Sequence, residues 1–239
     1  MCVGAPGVTT PADKARVWDL PTRLFHWALV ATVVAAFVTA NIGGNAMVWH
    51  GRLGLAILGL LVFRILWGFV GSTYARFTQF VRGPAAIRAY LKGEWQGQGH
   101  NPVGAFSVLA LLGILSIQAV TGLFANDDIA YQGYLYALAG SDLSGRITGI
   151  HHLLEKLLML FVALHVGAIV FYVRVKKHNL VKPMVTGWAD GKPCESAKGG
   201  GAVAFIVAVL IAVGVAYAAS GAFLPPPPPP APAAETPAW

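Results

Sequence analysis

The sequence predicts an all-α integral membrane protein, a four-helix bundle with a fifth transmembrane helix. Three observations predict it. Of the 239 residues, 56% are hydrophobic and 11% charged, whereas soluble domains carry about 25% charged residues. The apolar residues fall in five blocks, each long enough for a hydrocarbon core of about 30 Å, which takes roughly 20 helical residues. Lysine and arginine gather in alternate connectors. The blocks lack the alternation of a membrane barrel, so helices are the way to satisfy every backbone group in lipid.

The first block runs from Leu24 to Ile42 and the second from Trp49 to Val70. The third spans Val103 to Phe124, the fourth Ile150 to Val173, and the fifth Ala202 to Leu224. Asp13, Lys14, Arg16 and Asp19 precede the first block and no small-residue cleavage site follows it, so it is expected to be a retained span rather than a signal peptide.

The net charge of +7 does not indicate nucleic acid, because of where the charges lie. Lys14, Arg16 and Arg23 precede the first span. Arg76, Arg82, Arg88 and Lys92 lie between the second and third. Arg174, Lys176, Lys177, Lys182, Lys192 and Lys198 lie between the fourth and fifth. The other connectors hold Arg146, with Arg52 and Lys156 near span ends. This positive-inside pattern predicts a cytoplasmic N-terminus and a periplasmic C-terminus in a bacterial inner membrane. Cys2 and Cys194 both fall on the cytoplasmic side, where disulfides are rare, and are given no role.

Five segments follow: residues 1–15, a cytoplasmic N-terminal segment; 16–188, the four-helix unit; 189–201, a Gly-rich cytoplasmic linker; 202–224, the fifth span; and 225–239, a Pro-rich periplasmic tail. The fifth span and the tail, which opens with the prolines Pro225 to Pro230, read as an appendage to the four-helix unit. In the longest inner connector, Pro84 to Lys92 opens with a proline suited to a first helical turn and is expected to form a short surface helix. The outer connector, from Ala125 to Gly149, holds Asp127, Asp128 and Asp142, with the interfacial aromatics Tyr131, Tyr134 and Tyr136.

Of the seven histidines, His100 and His178 fall in inner connectors and read as solvated or headgroup-facing. The other five, His26, His50, His151, His152 and His165, sit in or at the ends of spans, where an ionisable side chain is costly and marks function. His151 and His165 are fourteen residues apart, close to four helical turns, so both face nearly one way, about 21 Å apart along the axis. His152 is turned by roughly 100° from that face. The inside-out order places His50 level with His151 and His26 level with His165. Each pair suits the two axial positions of a haem iron in the core of a helical bundle, whereas zinc wants three or four clustered ligands. The expectation is therefore a four-helix di-haem bundle that transfers electrons, with metal ligands His26, His50, His151 and His165. Arg23, Arg52 and Arg64 are the candidate partners of the anionic propionates. Gly51, Gly54 and Gly167, beside these histidines, are candidates for admitting a flat macrocycle or for helix contacts.

The order of motifs resembles the prokaryotic cytochrome b561 family, which is related to the b-type cytochrome subunit of nickel–iron hydrogenases. The resemblance runs from Val17-Trp18-Asp19-Leu20-Pro21-Thr22-Arg23-Leu24-Phe25-His26-Trp27 through Arg64-Ile65-Leu66-Trp67-Gly68-Phe69-Val70-Gly71-Ser72 and Gly99-His100-Asn101-Pro102-Val103-Gly104. It continues in Thr121-Gly122-Leu123-Phe124 and in His151 to His165, and ends near Met184-Val185-Thr186-Gly187. It implies two haems b, held by histidines on helices one, two and four, and exchange of electrons with a quinone. Those ligand positions fall on the same four histidines. In one departure, the residue after the first helix-four histidine, often glutamate in the family, is His152 here.

The function expected is electron transfer between the quinone pool of a respiratory chain and a redox partner, with possible quinol oxidoreductase activity. The partner is a c-type cytochrome docking on the acidic outer loop, or a periplasmic metalloenzyme that the chain anchors in the lipid bilayer. The charge asymmetry makes a direct prediction: a reporter fused after Trp239 reads as periplasmic and one fused between residues 176 and 198 as cytoplasmic. A cytoplasmic C-terminus would contradict the assignment.

Overall fold

The computed structural model describes residues 14–95, 99–129, 131–190 and 196–225. Both cysteines and nearly all of the proline tail lie outside the described residues. Five helices are long and apolar enough to cross a membrane: α1 (Leu20–Ile42), α2 (Ala46–Val70), α5 (Pro102–Phe124), α6 (Tyr136–Arg174) and α8 (Ala202–Ala219). Between α2 and α5 lie a 3-10 turn (Thr73–Ala75) and two short helices, α3 (Phe77–Phe80) and α4 (Pro84–Leu91). The short helix α7 (Val181–Thr186) follows α6.

Two of the spans, α1 and α5, start at a side-chain cap. Asp19 caps α1, its Oδ1 accepting from the Thr22 amide at 2.8 Å, and Pro21 occupies the first turn. Asn101 caps α5 the same way, accepting from the Gly104 amide at 2.7 Å, with Pro102 following. Between α1 and α2 the chain reverses at Gly43 and Gly44, whose φ angles of +68° and +53° favour glycine.

The helices pack in one connected unit. α1 lies along α2, α5 along α6, and α2 also touches α5 and α8. Trp67, fully buried, packs in a layer with Phe25, Phe63 and Ala208. A second layer joins Ala36, Ile57, Leu61, Leu115 and Leu158. The fifth span, α8, packs on α2, where Gly59 faces Ala212 and Ala216 with space for an ordinary contact, a Cβ there standing 3.5 Å from the Ala216 Cβ.

Two elements differ from the sequence reading. The outer connector is shorter, because α6 begins at Tyr136 and breaks only at Gly140 (φ 72°). Its outer turns are polar and held by the loop: the Ser144 hydroxyl donates to the Phe124 carbonyl at 2.7 Å, and the Asn126 amide donates to Thr148 Oγ1 at 3.1 Å. Hydropathy marks only the stretch of a helix that lies in lipid, so this extension was silent. The second is a small antiparallel sheet, β1 (Lys14–Arg16) with β2 (Trp188–Asp190), pairing Lys14 with Asp190 and Arg16 with Trp188. Three-residue strands carry too little alternation to be read from sequence.

At the inner face the Asp19 carboxylate joins two helices, capping α1 with Oδ1 while Oδ2 accepts from the Trp67 indole of α2 at 2.9 Å. Replacing Asp19 with Ala should lower stability by about 2 kcal/mol, from the lost cap and the orphaned indole N–H, and Asp19→Asn by less. Thermal unfolding in detergent tests this; an unchanged midpoint for the Ala variant would contradict it.

Candidate functional site

The histidines of the outer half meet across the bundle. The rings of His50 on α2 and His151 on α6 lie 6.2 Å apart, centre to centre, with planes at 87°. Two imidazoles sharing one ion, with metal–nitrogen bonds of about 2 Å, have ring centres separated by roughly that distance. The far nitrogens are engaged. His50 Nδ1 lies 2.8 Å from the Ala36 carbonyl, which can only accept, so Nδ1 carries the hydrogen and Nε2 keeps its lone pair. Thr121 donates its hydroxyl hydrogen to the carbonyls of Ile117 and Gln118, and therefore accepts from His151 Nδ1 at 3.0 Å. His151 Nε2 is thereby also left with a lone pair, and the Gln118 amide nitrogen sits 3.1 Å from it. Fixing a ligand histidine through its other nitrogen is how metal sites set tautomer and ring direction. Gly122 gives His151 its room, since a Cβ there would lie 3.1 Å from Cε1.

Two further histidines lie toward the end of the bundle where α1 begins. His26 on α1 and His165 on α6 lie within electrostatic reach of each other. His165 Nδ1 is 3.4 Å from the Ser107 hydroxyl of α5, and His26 packs edge-on against Trp27. The inner end of α1 is fastened to α7 through Arg23 Nη1, which donates to the Val185 carbonyl at 2.5 Å, and the Trp27 indole, which donates to the Met184 carbonyl at 3.3 Å.

His152 takes no part in either pair. Its side chain is 69% exposed, on the outward face of α6, 3.8 Å from Glu155. Among the described residues no group of three or more His, Cys, Asp or Glu gathers to hold a metal ion.

The three arginines separate. Arg64 is 3% exposed; it donates to the Ala75 carbonyl at 3.2 Å and lies over the Phe77 ring. Arg23 is half-buried, with an Nε that has no hydrogen-bond partner among the described residues. Arg52 lies on the exposed face, over the Trp49 ring, as an interfacial cation does. The glycines separate too. Gly54 and Gly167 have open space where a Cβ would stand, Gly167 on the exposed side of its helix, whereas Gly51 is covered by the Tyr131 hydroxyl. Burial and the neighbouring Tyr134 and Asp127 push that phenol up to about 12, so it stays protonated.

One connector reading needs correction. His100 is partly buried rather than solvated: its ring is packed between Trp18 at 4.6 Å and Phe80 at 4.7 Å. Burial, then the Arg64 charge, then His165 and His26 push it down to about 3, so it is neutral across the physiological range. The sequence signal was available in the aromatic residues around it, but nothing local says that Trp18 and Phe80 close on one imidazole. In the outer loop, Asp127 Oδ1 accepts from the amides of Ile129 and Tyr131, and Asp128 Oδ1 from the Asn126 side chain. These carboxylates build the loop's own turns.

Five apolar helices long enough to span a bilayer, with the His50 and His151 rings meeting between α2 and α6, define a multi-pass membrane protein with histidines inside its bundle. The profile of prokaryotic cytochrome b561 matches residues 17–187, and the chain belongs to that family, whose b-type members carry haem b. It is 27% identical over 212 residues to a probable Ni/Fe-hydrogenase B-type cytochrome subunit of Azotobacter vinelandii, covering 72% of this chain and 87% of the relative. It is 26% identical, with the same coverage, to the corresponding protein of Azotobacter chroococcum mcd 1. No solved structure matches.

The opposite placements of the neighbouring histidines generate a paired test. His151→Ala should lower the haem content of the purified protein by one per chain, whereas His152→Ala should leave it unchanged. The reverse outcome in a pyridine haemochrome assay would contradict the geometry.

Proposed function

We propose that the chain carries two haems b, one held by His50 and His151 and the other by His26 and His165, and passes electrons between the quinone pool and a partner protein. The observation that carries this reading is the outer pair: rings 6.2 Å apart with both Nδ1 atoms engaged. Membership of a b-type cytochrome family supports the cofactor. Haem held there would supply one-electron exchange, with the paired imidazoles as its ligands.

The residues divide the work. Ala36 and Thr121 hold the outer imidazoles in one tautomer. Ser107 supports His165. Arg23 and Arg64, on the inner side, are the proposed partners of propionate carboxylates, with Arg52 as the outer candidate. The two histidine pairs would hold haems at different depths for one-electron exchange, and the apolar faces of the five spans seal the interior of the bundle from water. The lysine and arginine distribution supports an inner-membrane orientation with the N-terminus in the cytoplasm.

For the partner, similarity to the probable Ni/Fe-hydrogenase B-type cytochrome subunits favours a metalloenzyme of the nickel–iron hydrogenase kind, with this chain as its membrane anchor. A c-type cytochrome docking on the acidic loop has weaker support, because Asp127 and Asp128 are engaged in the loop's turns.

The full-length protein, purified in mild detergent, should contain two haems per chain by reduced-minus-oxidised difference spectroscopy, and both should be reduced by added quinol. A protein without haem would end this reading. Affinity purification from membranes should also recover a metalloenzyme subunit; recovery of a soluble c-type cytochrome alone would favour the second partner.

A further inference from the structure

His100 has the features of a built binding position that the account above does not use. It sits in the connector before α5, next to Gly99 at φ +83°. Trp18 and Phe80 hold its ring from two sides. Its Nδ1 is buried and has no hydrogen-bond partner among the described residues. An unpaired buried donor or acceptor costs about 1–3 kcal/mol, so a pocket that fixes the ring without satisfying it points to a bound group.

The neighbours say what kind of group. Arg64, His165 and His26 are within electrostatic reach of His100. Arg64 is almost fully buried, yet among the described residues no carboxylate lies within ion-pair distance of it. Asp19, within electrostatic reach of Arg64, is already engaged by the Thr22 amide and the Trp67 indole. A buried guanidinium beside a buried N–H donor selects an anion, and a planar carboxylate matches the guanidinium fork. A neutral quinone carbonyl leaves the guanidinium charge uncompensated. The geometry links the two groups: Arg64 lies over the Phe77 ring, which packs edge-on against Phe80, one of the two rings that hold His100.

We propose that His100 and Arg64 together bind a propionate carboxylate of the haem held by His26 and His165, with His100 donating from Nδ1. This rests on the two-haem reading. Neutral His100 serves as a donor, and Arg64 supplies the charge. The aromatic clamp makes His100 a fixed contact, so the carboxylate stays ionised at neutral pH and the iron it belongs to keeps a steady electrostatic environment.

The test is a potentiometric titration of the full-length, haem-loaded protein over a range of pH, with the inner component identified by its loss in His26→Ala. His100→Phe keeps a ring between Trp18 and Phe80 but removes the donor. It should change the reduction equilibrium of the inner haem about tenfold, 59 mV for one electron. The inner haem becomes harder to reduce at alkaline pH, where the propionate is ionised but under-compensated. Its potential also gains a pH dependence that wild type lacks, because the propionate then takes up a proton more readily. The outer haem should not move. His100→Asn, which offers an amide N–H near the Nδ1 position, should restore most of the wild-type behaviour. Unchanged potentials in His100→Phe, with two haems retained, overturn the assignment of His100 alone. Unchanged potentials together with loss of co-purifying phospholipid would identify the anion as a lipid phosphate and also overturn it. A wild-type protein lacking the inner haem overturns the two-haem reading and this inference with it.

Discussion

Hydrocarbon offers no hydrogen bonds, and this constraint organises the molecule. Any polar side chain carried into a span must find its partner inside the protein. His50 finds the Ala36 carbonyl of α1, His151 finds Thr121 and Gln118 of α5, and His165 finds Ser107 of α5. Each bond joins two helices, so the groups that make the core chemically useful also set which helices are neighbours. The apolar layers around Trp67 and Leu61 fill the space between these contacts but are interchangeable in a way that the polar contacts are not.

The inner face is built differently. There Asp19 links α1 to α2, Arg23 and Trp27 tie α1 to α7, and β1 with β2 binds the N-terminal segment to the segment after α6. Thr73 and Lys198 exchange hydrogen bonds where α8 begins. The result is a clasp that fixes the inner ends of α1, α2 and α8 while their outer halves are held by side-chain packing. It places Trp18 and Phe80 around His100 and brings that imidazole to the level of His26 and His165.

The five spans were legible because a long apolar run has one stable solution in lipid, and α4 was legible from its proline and its segregated faces. Helical repeat and topology put His50 level with His151 and turn His152 off that face; the His50 and His151 rings lie 6.2 Å apart, and the His152 side chain is 69% exposed. What escaped reading has a common cause, which is tertiary partnering without a local signature. The polar outer turns of α6 are helical because Phe124 and Asn126 meet Ser144 and Thr148. The docking of α8 depends on Gly59 meeting Ala212 and Ala216 across two distant segments. His100 looked like a connector residue because Trp18 and Phe80 are far from it in sequence.

The central claim is that the core histidines act as two bis-imidazole pairs. Electron paramagnetic resonance of the oxidised full-length protein tests it most directly, since the signal reports the axial ligands of each iron. The account predicts two low-spin ferric species, one lost in His50→Ala and the other in His26→Ala, with no high-spin ferric signal in the wild type. A dominant high-spin signal in the wild type, or a single low-spin species insensitive to one of the two substitutions, would contradict it.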